Sequence, residues 1–139
     1  TGEASFRARF SLAHGTGNNQ INKHWEDAGT IAASGNLDLD LAGGLTDDNG
    51  NLITFTALKF LAVYNVSALI ATKLIVCNTG TTAFTVPWQQ TISKNGVSIW
   101  CDFASGEGIV AATGDLIRIT NADAVNIASY EVFLAGVTA

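Results

Sequence analysis

The residues able to do chemistry are few, and their spacing works against a catalytic reading. His14 and His24 are the two histidines, and a Gly/Asn-rich stretch separates them. No HxH or HxxxH pattern puts two imidazoles on one face of an element, as a metal-dependent jelly-roll enzyme requires. A Ser–His–Asp set can be drawn from His24, Asp27 and some serine, but no GxSxG turn exists to hold the nucleophile. Asp38 and Asp40 project from one strand face. A paired acid and base would have to face a cleft, and the simpler reading is a solvated or partner-facing strand face. The run Asp47-Asp48-Asn49-Gly50-Asn51 resembles a calcium loop but lacks the glycine at the sixth position and the bidentate acid at the twelfth. A turn is expected there instead. No glycine loop is built to cradle phosphate. Cys77 and Cys101 fit no zinc spacing. Cys77, inside the apolar LIVCN run, reads as a small buried hydrophobe, and its pairing with Cys101 stays open. The expectation is a protein without catalytic residues, metal or cofactor, and not an enzyme.

Surfaces must then carry the function. Tryptophan in a β-sandwich serves as core, interface anchor or sugar-stacking platform. Trp25 stands beside His24, Glu26 and Asp27 near a flexible loop, and Trp88 follows the only proline, Pro87. Both read as interface residues, while the burial of Trp100 is open. Residues 5–14 (SFRARFSLAH) alternate: Phe6, Ala8, Phe10 and Leu12 on one face, Arg7, Arg9 and Ser11 on the other. They form either an ordinary first strand or an extended arm that becomes a strand on a partner. Phe6, Arg7, Arg9, Phe10, His24, Trp25 and Trp88 are the candidate partner-binding residues.

The elements that would position them are strands. Leu37-Asp38-Leu39-Asp40-Leu41 alternates strictly, the mark of a half-buried strand. Asn49-Gly50 supplies a hairpin-type turn. Residues 54–56 and 58–65 follow as two strands or one bent strand. In the second, Phe60, Ala62 and Tyr64 alternate with Leu61 and Val63. Both sets are apolar, so a central strand covered on both faces is expected. Further strands are expected at 29–34, 69–70, 73–78, 83–88 (edge-limited by Pro87), 97–103, 109–112, 116–120 and 127–134. In 97–103, Val97, Ile99 and Cys101 share one side and Trp100 takes the other. Eight to ten short strands with Gly/Asn turns, and no convincing amphipathic helix, give an all-β, jelly-roll-type antiparallel β-sandwich in a single domain, with an immunoglobulin-like sandwich as the alternative. Residues 1–24 are expected as an N-terminal strand or arm with a flexible loop, and residues 25–139 as the sandwich body.

Composition narrows the partners. At 139 residues the chain can bury a full core. Charged residues make up 14%, well below the roughly 25% of ordinary soluble proteins. Hydrophobic residues make up 47%, so part of the apolar surface is expected to be covered by a partner. The net charge of −5 argues against nucleic acid. It is uneven: residues 1–24 carry +2 from Arg7, Arg9, Lys23 and Glu3, and the remainder carries −7. A mildly basic segment on an acidic body suits docking onto an acidic neighbour. No secretory signal is visible, and no apolar run reaches the ~18 residues of a membrane span. Thr1-Gly2 fits removal of an initiator methionine, so an intact native N-terminus is expected.

Two stretches carry a family resemblance. LDLDLAGGLTDDNGNLITFTALKFLAVYN, taken with ATGDLIRITNADAVNIASYEVFLAGVTA, resembles the capsid cementing (decoration) proteins of tailed bacteriophages, podophage type. The matching positions are Leu37-Asp38-Leu39, Thr46-Asp47, Gly50-Asn51, Gly114-Asp115-Leu116, Arg118, Asn121, Tyr130, Leu134 and Gly136. They cover about half the chain, and residues 68–108 fit the pattern poorly. The resemblance implies a small jelly-roll protein on the outer surface of an icosahedral head, made in the bacterial host cytoplasm. Its partners would be the major capsid protein and a second copy of itself at capsid two-fold axes. It would cement neighbouring subunits against internal DNA pressure, without chemistry and without nucleic-acid or membrane contact. The alternative from the residues is a carbohydrate- or receptor-binding module that stacks sugars on Trp25 or Trp88.

Overall fold

A computed structural model of the chain describes residues 2–5, 9–77 and 88–139. Among them are twelve strands and no helix; apart from one short parallel pair, the strands lie in antiparallel sheets arranged as a β-sandwich. The strands are β1 (Ala13–His14), β2 (Gln20–Ile21), β3 (Lys23–Ile31), β4 (Asn36–Asp40), β5 (Ala42–Thr46), β6 (Leu52–Asn65), β7 (Leu74–Val76), β8 (Gln90–Ile92), β9 (Val97–Cys101), β10 (Glu107–Gly108), β11 (Leu116–Asn121) and β12 (Ala128–Thr138).

The 14-residue β6 organises the larger sheet. It pairs β12, which pairs β3, and it also pairs β5, β10 and β9 along its length. The smaller sheet runs β4-β11-β7-β8. The alternating apolar residues of both sheets meet in one cluster: Leu61, Val63, Val132 and Leu134 from the larger, Leu39, Ile117, Ile119, Leu74 and Val76 from the smaller. The leucines of the Leu-Asp repeat do face this core. Its aspartates are structural. Asp38 holds Arg118 through two short bonds of 2.6 and 2.7 Å, and Asp40 accepts the Ala42 amide. The Asp-Asn-Gly turn joins β5 to β6. The Asp47 carboxylate takes the Asn49 and Asn51 amides, and Gly50 sits at φ +80°, a conformation that suits glycine.

The register between β6 and β12 shifts twice, opposite Lys59 and Thr56. One bulge would flip every side chain beyond it to the other face. Two bulges restore the alternation, so Ile53 and Phe55 point inward like Leu61 and Val63. A Cβ on Gly136 at this crossing would collide with the Ala57 carbonyl. The bulged Lys59 is only 2% exposed. Burying an ammonium is costly unless its protons find acceptors. Three carbonyls supply them: Gly17 at 2.7 Å, Ala104 at 3.2 Å and Phe103 at 3.5 Å. With the Asn19 amide bonded to the Phe103 carbonyl, this ties the 15–19 loop to the body.

Several expected boundaries move. The strand expected at 29–34 begins at Lys23 and ends at Ile31, so the His-Trp-Glu-Asp patch lies inside edge strand β3. The division drawn between residues 24 and 25 falls inside that strand. Of the first expected strand, only Ala13–His14 is a strand among the described residues, in a parallel pair with Gln20–Ile21. Leu69 and Ile70 form an exposed turn, not a strand. The chain turns there because buried Asn65 ends β6, its amide donating to the Thr72 and Ile92 carbonyls. Residues 109–112 contribute one isolated bridge, and the pairing with β6 comes from β10 instead. β12 extends four residues past the expected end. Most of the expected strand at 83–88, with Pro87, lies outside the described residues.

Candidate docking face

One expectation fails in a way that creates a site. β6 is central, but it is not covered on both faces. Phe60 and Ala62 are half-buried and Tyr64 is 37% exposed, all on the side away from the core. On β9 the expected division of sides holds, Val97, Ile99 and Cys101 on one and Trp100 on the other, and it is the first set that meets solvent. Ser98 is buried and Trp100 packs toward the core, while Val97 and Ile99 face outward at 49% and 55% exposure. The cross-strand register aligns these residues in rows. Ile99, Ala62, Phe133 and Glu26 occupy one row; Val97, Tyr64, Glu131 and Ala28 occupy the next.

Aromatic rings continue across the same face. Phe10 lies 4.9 Å from Phe103, which stacks 6.2 Å from Phe60. Phe60 meets Phe133 edge-on at 5.8 Å, and Phe133 stacks with His24 at 5.9 Å. All are ordinary aromatic contact distances. A hollow of about 610 Å³ opens beside this ladder, with Ala62, Tyr64 and Phe133 lining it together with Glu26, Asp48 and Glu131.

Of the expected partner-binding residues, His24 and Phe10 belong to the ladder. Arg9 is exposed. Phe6 and Arg7 lie outside the described residues. Trp25 is half-buried on the core side of β3, and its indole N–H donates to the Thr46 carbonyl at 3.0 Å. Trp88 is likewise half-buried against the core.

Groups around the face are engaged structurally. The Tyr130 hydroxyl donates to Asp27 at 2.8 Å and crosses over Gly29, where a Cβ would crowd the ring. Burial, then the Asp27 carboxylate, pushes the Tyr130 hydroxyl up to about 12. The Asn51 amide and the Lys23 ammonium hold Asp47 down to about 2. Cys77 is buried and Cys101 exposed, both as free thiols, and burial pushes Cys77 up to about 12. Among the described residues no group of three His, Cys, Asp or Glu side chains is placed to hold a metal.

Sequence reasoning missed Phe60, Tyr64, Val97, Ile99, Phe103 and Phe133 as surface residues, because an apolar alternation looks alike whether its second face meets protein or solvent. The signal lay on the neighbouring strands. Glu131 alternates with Phe133 against Tyr130 and Val132, and Glu26 shares a row with Phe133. A carboxylate in the row marks the face that is open to water.

Fold and face together define an all-β, sandwich-type domain with one aromatic–aliphatic sheet face left open. No protein-family model matches the chain, and no curated protein matches it.

Proposed function

We propose that this chain is a structural docking protein, not an enzyme, that binds the outside of a tailed-phage head and cements neighbouring major-capsid subunits against internal DNA pressure. The observation that carries the reading is the open face: Val97, Ile99, Tyr64, Phe60 and Phe133 on paired strands of a rigid sheet. An apolar patch displayed on regular strands suits contact with another protein. The Leu-Asp-Leu strand, Thr-Asp turn and C-terminal strand that resemble podophage cementing proteins support the choice of partner. The reading takes the finer fold to be a jelly roll and places the protein on the virion surface after synthesis in the host cytoplasm. A second copy and the major capsid protein are its partners, and nucleic acid, membrane and cofactors are not.

The test is a particle assay. Purified protein should co-sediment with expanded heads, and heads lacking it should break at lower temperature or with less chelator. Heads that neither bind the protein nor lose resistance without it would overturn the reading.

A further inference from the structure

We infer that one end of the sandwich, where residues 66–73 meet residues 122–127, is a second docking surface that seats in an apolar, carboxylate-rimmed pocket of a neighbouring protein subunit. This rests on the docking-protein reading and supplies the second contact that holding two subunits together demands.

Four connections close this end: residues 32–35, 66–73, 93–96 and 122–127. Hydrogen bonds lace them together. The Ser34 amide donates to the Asp123 carbonyl, the Ala122 amide to the Lys73 carbonyl, and the Lys94 ammonium to the Ala68 carbonyl at 2.6 Å. On this base stand Leu69 and Ile70 from one loop and Val125 and Ile127 from another, all exposed. Ile70 at 79% and Val125 at 82% are the most exposed large apolar side chains among the described residues. Single apolar residues scattered over a surface are ordinary. Four aliphatic groups on two joined loops are not scattered.

The loops that carry them are fixed. Asp123 Oδ2 accepts from the Thr72 hydroxyl at 2.9 Å and the Asn126 side-chain amide at 3.0 Å, while Oδ1 accepts the Val125 and Asn126 backbone amides. Those bonds, the Val125 amide first, hold the carboxyl well below the usual carboxylate range. The Asn121 side-chain amide donates to the Ile31, Ala32 and Asn126 carbonyls, and that of Asn65 ties down the Thr72 carbonyl. Side chains held ready on an ordered loop lose little freedom when a partner covers them.

Charge gives the partner's chemistry. Within the four connections the charged residues are Lys73, Lys94 and Asp123. Both Asp123 oxygens are taken up inside the loops, whereas neither lysine forms an ion pair among the described residues. Lysines flanking aliphatic groups fit a pocket that is apolar at its centre and acidic at its rim. A lipid surface fits less well. It favours Trp and Tyr at the headgroup level and clusters of cations, and the four connections hold no aromatic residue. The open sheet face is made of strands and this end of loops, so one chain can touch two subunits at once.

Expanded heads test this. Ile70→Asp with Val125→Asp should leave urea unfolding unchanged, since both side chains are exposed, and should weaken co-sedimentation about tenfold. Heads saturated with this variant should break as readily as bare heads, because the open face still binds but nothing bridges. Lys73→Glu keeps every aliphatic group, so it carries the test if the double variant unfolds more easily. It should weaken binding about threefold and flatten its salt dependence. Full protection by a folded double variant, or Lys73→Glu binding that matches the wild type at every salt concentration, would overturn the second surface. So would wild-type co-sedimentation with phosphatidylserine vesicles that the double variant loses. A wild type that neither binds nor protects heads would sink the cementing reading and this surface with it, whereas protection retained by the double variant sinks this surface alone.

Discussion

The two sheets share a core but present opposite outward faces. The smaller sheet turns polar groups out. Asp38 and Arg118 form a bidentate pair across β4 and β11, and Asn36 accepts from the Thr120 hydroxyl at 2.6 Å in the next row. The larger sheet turns out Phe60, Tyr64, Phe133, Val97 and Ile99. Cross-strand polar pairs satisfy a face that meets water. Exposed aromatic and aliphatic rows stabilise nothing until something covers them. One sheet is therefore finished within the chain and the other is not. The sharpest way to test that difference is to make matched changes on each side.

The largest effects should come from the shared interior, where the sheets ought to behave alike. Leu61 of the larger sheet and Ile119 of the smaller are fully buried. Truncating either to alanine removes transfer energy and leaves a cavity, so each should cost about 2–5 kcal/mol in urea unfolding. Ile99→Ala, on the open face beside them, should cost no more than about 0.5 kcal/mol. An Ile99 cost as large as that of Leu61 would mean the face is already packed within the single chain.

How much of this was legible in the sequence follows from the same geometry. The Leu-Asp strand and the Asp-Asn-Gly turn were readable because each side chain there has one plain destination. Leucine goes to the core, and aspartate goes to Arg118 or to backbone amides. β6 was not readable in full. Lys59 inside an apolar run gives no hint that two bulges keep the alternation in phase, or that three carbonyls bury its ammonium. The open face was hidden for a related reason: period-two patterning reports that a face is apolar, not what covers it. His24 was assigned to a partner surface from local polarity, and the structure puts it at the end of a ring ladder that only strand pairing assembles.

An intermediate effect separates the two outward faces directly. Ile99→Asp should weaken binding to heads by about 2 kcal/mol, roughly thirtyfold, if the open face is the contact. Thr91→Asp, exposed on β8 of the polar sheet, should leave it unchanged. Co-sedimentation across a concentration series reads both. The reverse pattern would move the docking surface to the smaller sheet.

The smallest effect should come from the polar face itself. Hydrogen bonding to Arg118, more than the charge attraction, lowers the Asp38 carboxyl below its ordinary 3.8. A carboxyl whose folded-state value is depressed stabilises the fold above its unfolded value, and that contribution is lost as pH falls through the folded one. Asp38→Asn should therefore destabilise the protein at pH 7 and lose that deficit in acid, beginning near pH 4. The pair is partly exposed, with side chains 38% and 31% accessible, so solvent screening limits its worth to about 0.2–1 kcal/mol. Salt should shrink it further, because ions screen exposed charges. Unfolding at pH 7 and pH 3, with and without added salt, would show this. A deficit that persists unchanged at low pH would mean that Asp38 holds the smaller sheet by packing rather than by charge, and the contrast between the two faces would lose its polar half.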